Sequence, residues 1–414
     1  MTIKASFLAL LLTFLCSATW AQKVLTVAAY PAVDDVVRAA LPSWKEKNPG
    51  VEVKVVSREF ADHHLAMTTA LAASSGLPDV IALEYGFLGR FAQSGGFEDL
   101  SASPYLAGQY SKGFVAYAWQ QGQHPKFGQV AMPTDIGPGV MFYRLDTLQK
   151  VGLTAADLSK DWDRFIASGK LIKERLGFYL VAHARDIKDI VIRSGVKPNQ
   201  GIYFDENGHS LVGTDERFLN AFRLAKQIRE ADLDARVNTW SNDWGEAIKR
   251  GNITVQMIGA WFGGHLQNWL AKDSIGKWRT GPIPQGGATS WGGTFYVIPK
   301  RAKEKTLAWD LIRHLTLNRA QQEMAFRDFN AFPALLAAQE GAYFEEPLDY
   351  FGGQKARVFW RETAKRITAT RVFRHDAIAE EIVNSQLDLV LTRGKPVERA
   401  LADAHRLIQR RGQR

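Results

Sequence analysis

The sequence predicts an α/β protein of two lobes, each built on a mostly parallel sheet flanked by helices. Three observations carry this. The first hundred residues after the leader alternate strand and helix, β-α-β-α-β-α, a pattern that needs helices on both faces of a parallel sheet. The chain has 414 residues, more than one ordinary domain holds. Pro133-Thr134-Asp135-Ile136-Gly137-Pro138-Gly139 is too rich in Pro and Gly for a regular element and reads as a crossing between lobes.

The leader comes first. Lys4 supplies a positive start, residues 7–15 form an apolar run, and Ala18-Thr19-Trp20-Ala21 offers small residues for cleavage between Ala21 and Gln22. The run is too short for a lasting membrane anchor. The sequence therefore predicts a signal peptide over 1–21 and a protein exported to the periplasm. Cys16 is the single cysteine. A lipid-modified cysteine wants a small residue before it, and Leu15 stands there, so lipidation is the lesser reading. With Cys16 removed no disulfide can form, and stability must come from burial.

Residues 25–29 read as a strand ending at Tyr30-Pro31. Residues 34–47 read as a helix with Val36, Val37, Ala40, Leu41 and Trp44 on one face, which Pro42 should kink or shorten. Val51, Val53 and Val55 alternate with polar residues, as a strand does. A helix over 65–73, a buried strand over 80–83 and a short helix over 87–93 follow. Strand-like runs at 129–132 and 140–144 flank the crossing. Beyond it come helices over 155–174 and 215–231, strands over 253–258 and 295–298, and helices over 304–317, 376–391 and 397–410.

The formal net charge is +9, or +8 without Lys4. Basic residues are scattered, and no basic stripe interleaved with aromatics suggests nucleic acid. The balance leaves room for an anionic ligand. There is no Gly-x-Ser-x-Gly elbow, no phosphate loop and no His-Glu-x-x-His. His63-His64 reads as a solvated helix start, since adjacent histidines on a helix point apart. Asp161 and Asp163 read as charges at a helix N-terminus rather than an acid pair. No cofactor or metal is expected. A glycosidase would still be compatible, because its carboxylates can lie far apart in the chain.

Three loops combine tryptophan with small or polar residues: 238–244 with Trp240, 259–264 with Trp261, and Ser290-Trp291-Gly292-Gly293-Thr294. A sugar offers apolar C–H faces and a girdle of hydroxyls, so its site needs flat rings and dense hydrogen-bond partners. Glycine lets backbone amides approach without a Cβ between. Trp261 follows a buried strand directly, where an open α/β sheet places its ligand. The same tryptophans would also suit a packed core. Trp44, Trp119, Trp278 and Trp309 lack this context and are assigned to packing. Polar candidates sit at strand ends: Tyr30 after the first, Glu84 and Tyr85 after the third, and Asp135 in the crossing. A carboxylate can clamp two hydroxyls.

Several motifs in order resemble one family. They are Pro78-Asp79-Val80 with Gly89-Arg90-Phe91-Ala92-Gln93-Ser94-Gly95-Gly96-Phe97, Met132-Pro133-Thr134-Asp135 with Met141-Phe142-Tyr143-Arg144, Met257-Ile258-Gly259-Ala260-Trp261, Trp291-Gly292-Gly293-Thr294 through Pro299, and Gly394-Lys395-Pro396 before an Ala-rich helix. Together they are similar to family 1 extracellular solute-binding proteins of ABC importers, the group that includes the maltose-binding protein. The resemblance implies a periplasmic-binding-protein-like fold of class II, with discontinuous lobes at 22–134 plus 288–327 and at 135–287 plus 328–414. It implies a ligand, a saccharide, captured in the cleft by hinge closure, with a membrane permease and an ATPase as partners of a monomer. It gives Trp261 the stacking role and Asp135, Gly292 and Gly293 polar contacts. After the third strand this chain has Leu83 and Gly86-Phe87 where the maltose-binding protein has a tryptophan and an aspartate–arginine pair, so its first-lobe contacts must differ. Two other classes stay open: a binder of another solute, such as a glycerol phosphodiester or polyamine, and a secreted carbohydrate-active enzyme.

Overall fold

The computed structural model describes residues 23–412. The leader and Cys16 lie outside them. Among the described residues there are nine strands: β1 (Lys23–Ala29), β2 (Val51–Ser57), β3 (Val80–Glu84), β4 (Gln123–His124), β5 (Gly128–Gln129), β6 (Met132–Arg144), β7 (Val255–Gly259), β8 (Trp278–Gly281) and β9 (Ser290–Val297). β4 and β5 form a small hairpin. The other seven make one sheet in the order β2-β1-β3-β9-β6-β7, with β8 also on β6.

The α/β class is as expected, but the pairing is mixed rather than mostly parallel. β1 runs parallel to β2 and β3. β9 is antiparallel to both β3 and β6, and β6 is antiparallel to β7 and β8. The cause lies in the two long passages of chain. β6 carries the backbone outward in a single strand, and β9 brings it back beside β6, so the two must oppose each other.

Strand periodicity divides the core into two layers. Leu25, Val27 and Ala29 of β1, Val80 and Ala82 of β3, Val140 and Phe142 of β6, and Tyr296 of β9 face one layer. Ala28, Ile81, Leu83, Met141, Tyr143, Phe295 and Val297 face the other. Successive side chains on a strand point to opposite faces, and here both faces are covered. The helices Val33–Lys45, Lys305–Leu317 and Ala356–Lys365 bury Trp44, Trp309 and Trp360 in the first layer. The helices Trp162–Leu176, Glu216–Glu230 and Asp376–Arg393 bury Phe165, Phe222 and Val383 in the second. Trp119 and Trp278 are buried too, so all four tryptophans assigned to packing serve it.

Three local expectations change. The helix Val33–Lys45 continues past Pro42 for three residues. The helix expected over 155–174 is broken into Ala155–Ser159 and Trp162–Leu176, because Asp161 caps the second by accepting the Arg164 N–H at 2.7 Å. The crossing itself is a strand, the middle of β6. Proline lacks an N–H and disrupts a ladder, yet the β6–β9 register slips next to both prolines, between Pro133 and Asp135 and between Ile136 and Pro138. These bulges absorb the missing donors. Glycine solves a second problem there, since a Cβ on Gly137 would lie 1.9 Å from the carbonyl oxygen of Trp291.

Replacing Gly137 by alanine must push β9 away from β6. The variant should lose about 1–3 kcal/mol of stability, read as a lowered midpoint of thermal unfolding. An unchanged midpoint would show that β9 yields freely.

Candidate functional site

β3 is buried along its length and ends at Glu84, the N-cap of the helix Tyr85–Ala92. The Glu84 carboxylate accepts the Gly86 N–H at 2.7 Å. In the sheet, Glu84 stands opposite Thr294 of β9, and Thr294 stands opposite Asp135 of β6. Tyr30, just past β1, shares a 2.8 Å hydrogen bond between its hydroxyl and that of Thr294. Four strands thus set Tyr30, Glu84, Thr294 and Asp135 side by side.

The tryptophans join this row through glycine. A Cβ on Gly292 would lie 3.7 Å from Trp261 Nε1 and 4.0 Å from Glu84 Oε1. Gly292 has φ of +78°, which suits glycine. The Trp261 Nε1–H donates to the Trp291 carbonyl at 3.1 Å, which fixes the ring. A Cβ on Gly259 would lie 2.3 Å from that same nitrogen, so this position must also be glycine. Trp240 stacks on Trp261 with centroids 5.9 Å apart. A Cβ on Gly293 would lie 3.1 Å from the Asp135 carbonyl oxygen, so this glycine serves the strand contact.

Tyr85 enters by another route. Its hydroxyl accepts a 2.9 Å hydrogen bond from Arg193 Nη1, and the Arg193 guanidinium lies 5.3 Å from the Trp291 ring centre. Arg193 also reaches Glu380 at 3.4 Å. Glu84, Tyr85, Phe87, Arg193, Asp376 and Glu380 help to line a cavity of about 90 Å³. A groove of about 1210 Å³ runs between the β4–β5 hairpin and residues 368–373 and contains none of the nine residues singled out from the sequence.

All nine therefore fall in one connected constellation. Sequence reasoning missed Thr294, Arg193, Glu380 and the histidines. His63 and His64 are buried, not solvated. His63 Nε2–H donates to the Ala82 carbonyl at 2.7 Å. His64 Nδ1–H donates to the Phe60 carbonyl, and its Nε2 accepts the Glu84 backbone N–H at 3.2 Å. His64 also stacks on Phe87 at 4.0 Å. Burial disfavours the imidazolium and pulls His64 down to about 4. The pair thus clamps the end of β3 as neutral rings.

Burial acts on the carboxylates in the opposite sense. It pushes Glu84 up to about 7, against the Gly86 hydrogen bond and the Arg193 charge. It pushes Asp135 up to about 6, against hydrogen bonds from Thr294. Asp376 rises to about 7 for the same reason. Such groups gain from any ligand hydroxyl that solvates them. Among the described residues no group of three or more His, Cys, Asp or Glu is placed to hold a metal ion. None of their helices is long and apolar enough to cross a membrane.

Rings, carboxylates and close backbone at the ends of a shared sheet define a small-molecule binding protein. The family model of the bacterial extracellular solute-binding proteins matches residues 25–322, and the chain belongs to that family, whose members bind solutes rather than transform them. A lactose-binding protein of Rhizobium radiobacter is 27% identical over 389 residues, 88% of this chain and 87% of that one. A crystal structure of an extracellular solute-binding protein of family 1 superposes with a TM-score of 0.81 at 21% identity, covering 94% of this chain and 99% of the other. An ABC-transporter-associated binding protein from B. animalis subsp. lactis Bl-04, in complex with β-1,6-galactobiose, gives 0.76 at 23% identity over 94% and 98%. These structural likenesses confirm the fold.

The raised Glu84 has a sign that can be checked. Between its unfolded value near 4.5 and its folded value of about 7, the folded state holds more protons than the unfolded one. Stability from this group is therefore lost as pH rises through that window. Glu84→Gln removes the loss, so its unfolding midpoint should gain on the wild type from pH 5 to pH 8, by on the order of 2–3 kcal/mol. Parallel curves for the two proteins would rule out a buried, shifted Glu84.

Proposed function

We propose that this protein is the periplasmic substrate-binding subunit of an ABC importer, and that its solute is a mono- or oligosaccharide. One observation carries the reading: the Trp261 ring, held by the Trp291 carbonyl, lies beside the Glu84–Thr294–Asp135 row. A pyranose stacked on Trp261 would turn its hydroxyls toward carboxylates whose charged form burial disfavours. The sugars printed in the names of its relatives, lactose and β-1,6-galactobiose, fit this chemistry. An export leader, residues 1–21, would deliver the chain to the periplasm, where the loaded form would dock on a membrane permease driven by an ATPase.

Capture proceeds by closure. Residues 22–134 plus 288–327 form one lobe and 135–287 plus 328–414 the other, joined through β6 and β9. Solute favours the closed form because only there do Glu84 on one side and Trp261 on the other contact it together. Arg193 is set to register closure, since its guanidinium spans Trp291 and the Tyr85 hydroxyl.

Purified protein should bind at least one of lactose, β-1,6-galactobiose, arabino-oligosaccharides and malto-oligosaccharides in a thermal-shift screen, because a ligand raises the midpoint by mass action. Trp261→Ala should weaken that ligand about 10- to 100-fold by calorimetry, and small-angle scattering should show compaction on binding. Failure of every saccharide to shift the midpoint would remove the proposal. Sugars recovered with altered mass would turn it toward an enzyme.

A further inference from the structure

The rings around Trp261 form a stair from the core to solvent. Trp244 is 1% exposed and donates through Nε1–H to Gln256. Trp240 leans on Trp244 at 5.1 Å and stacks on Trp261, yet is 51% exposed. His265 meets both Trp240 and Trp261 edge-on, at 5.4 and 5.6 Å. Trp269 closes the series 5.7 Å from His265 and is 56% exposed. Two of the largest apolar side chains in the protein thus stand in water next to the candidate site.

Their orientation is fixed nonetheless. Trp269 Nε1–H donates to His265 Nδ1 at 2.9 Å, which pins the indole edge and leaves the ring face open. Burial pulls His265 below its ordinary value, so it stays a neutral acceptor. The backbone is bent to the same end. Trp240 sits at φ of +74°, a region that a bulky residue rarely adopts, and Trp269 lies in a π-helical turn, Leu266–Leu270. Both irregularities concentrate at functional sites. Among the exposed side chains close by in the chain are four amides, Asn238, Asn242, Gln267 and Asn268, which offer both donors and acceptors, with the charged Asp243, Lys272 and Asp273 beyond them.

We infer that Trp240 and Trp269 form an outer aromatic platform, which stacks glycosyl units extending beyond the one held at Trp261, so that the preferred solute is an oligosaccharide. The inference rests on the saccharide reading of the cleft. Rigid rings with free faces lose little freedom on binding, which is what a stacking surface for a flexible chain requires. Amide neighbours match sugar hydroxyls, whereas a protein partner would be met by contiguous apolar surface.

The test is a length series, galactose, β-1,6-galactobiose, β-1,6-galactotriose and β-1,6-galactotetraose, with arabinose to arabinotetraose as a second series, titrated by calorimetry. Wild-type affinity should rise with length in the series that binds. Trp269→Ala should weaken the longest member about tenfold while galactobiose or arabinobiose binds as before, and Trp269→Phe should restore most of the loss. An unchanged midpoint of thermal unfolding shows that the variant folds. Affinity independent of length, or equal weakening of every member, overturns the platform and leaves the cleft reading standing. Binding of none of these sugars, nor of lactose or maltose, removes the saccharide reading and the platform with it. Unaltered binding with impaired uptake in permease-bearing cells overturns it in favour of a docking role for Trp269.

Discussion

The close approach of β6 and β9 is the constraint on which the rest depends. At Gly137 the backbone of one strand lies where only a hydrogen can fit against the Trp291 carbonyl of the other. That carbonyl is also the acceptor for Trp261 Nε1–H. The contact that joins the two passages of chain is therefore the contact that aims the principal ring. Had β9 been displaced to admit a side chain, Trp261 would lose its anchor, and Thr294 would lose its place between Glu84 and Asp135.

Burial governs the electrostatics of the same region in two directions. It keeps His63, His64 and His265 neutral, where they act as hydrogen-bonding rings that hold β3 and Trp269 in place. It raises Glu84, Asp135 and Asp376 toward neutrality, where each carboxyl stores unfavourable desolvation. Rigid neutral supports surround carboxylates that gain most from a new partner. This division follows from position, since His63 and His64 face backbone carbonyls, His265 faces the Trp269 indole N–H, and Glu84 and Asp376 line the small cavity beside Arg193.

Much of this was legible in the sequence. Alternation of short apolar runs with amphipathic segments gave β1, β2, β3 and their helices, because strand and helix periods differ plainly. Most of the nine candidate residues converge because they were chosen at strand ends or beside paired glycines, and strand ends meet in an α/β sheet, while Asp135 was found in the crossing and Trp240 in a tryptophan-bearing loop. What stayed hidden depends on partners distant in the chain. The β6 strand through Pro133 and Pro138 is stable only because β9 slips in register beside it, and no local pattern encodes that slip. His63 and His64 look solvated until the β3 carbonyls and the Glu84 amide arrive to meet them. Arg193 lies on the helix Ala184–Ser194 like any surface arginine, and only the fold brings Tyr85, Trp291 and Glu380 to it.

The crowding of indoles around residue 261 has an optical consequence. Trp240 lies within about 6 Å of both Trp244 and Trp261, close enough for excitation to pass among them before emission. Their light then reports the surroundings of the group rather than of one ring, and its most solvated member, Trp240, sets the colour. Any molecule that covers that single face changes the emission of the whole cluster, so the chain carries its own fluorophore for occupancy and needs no attached dye.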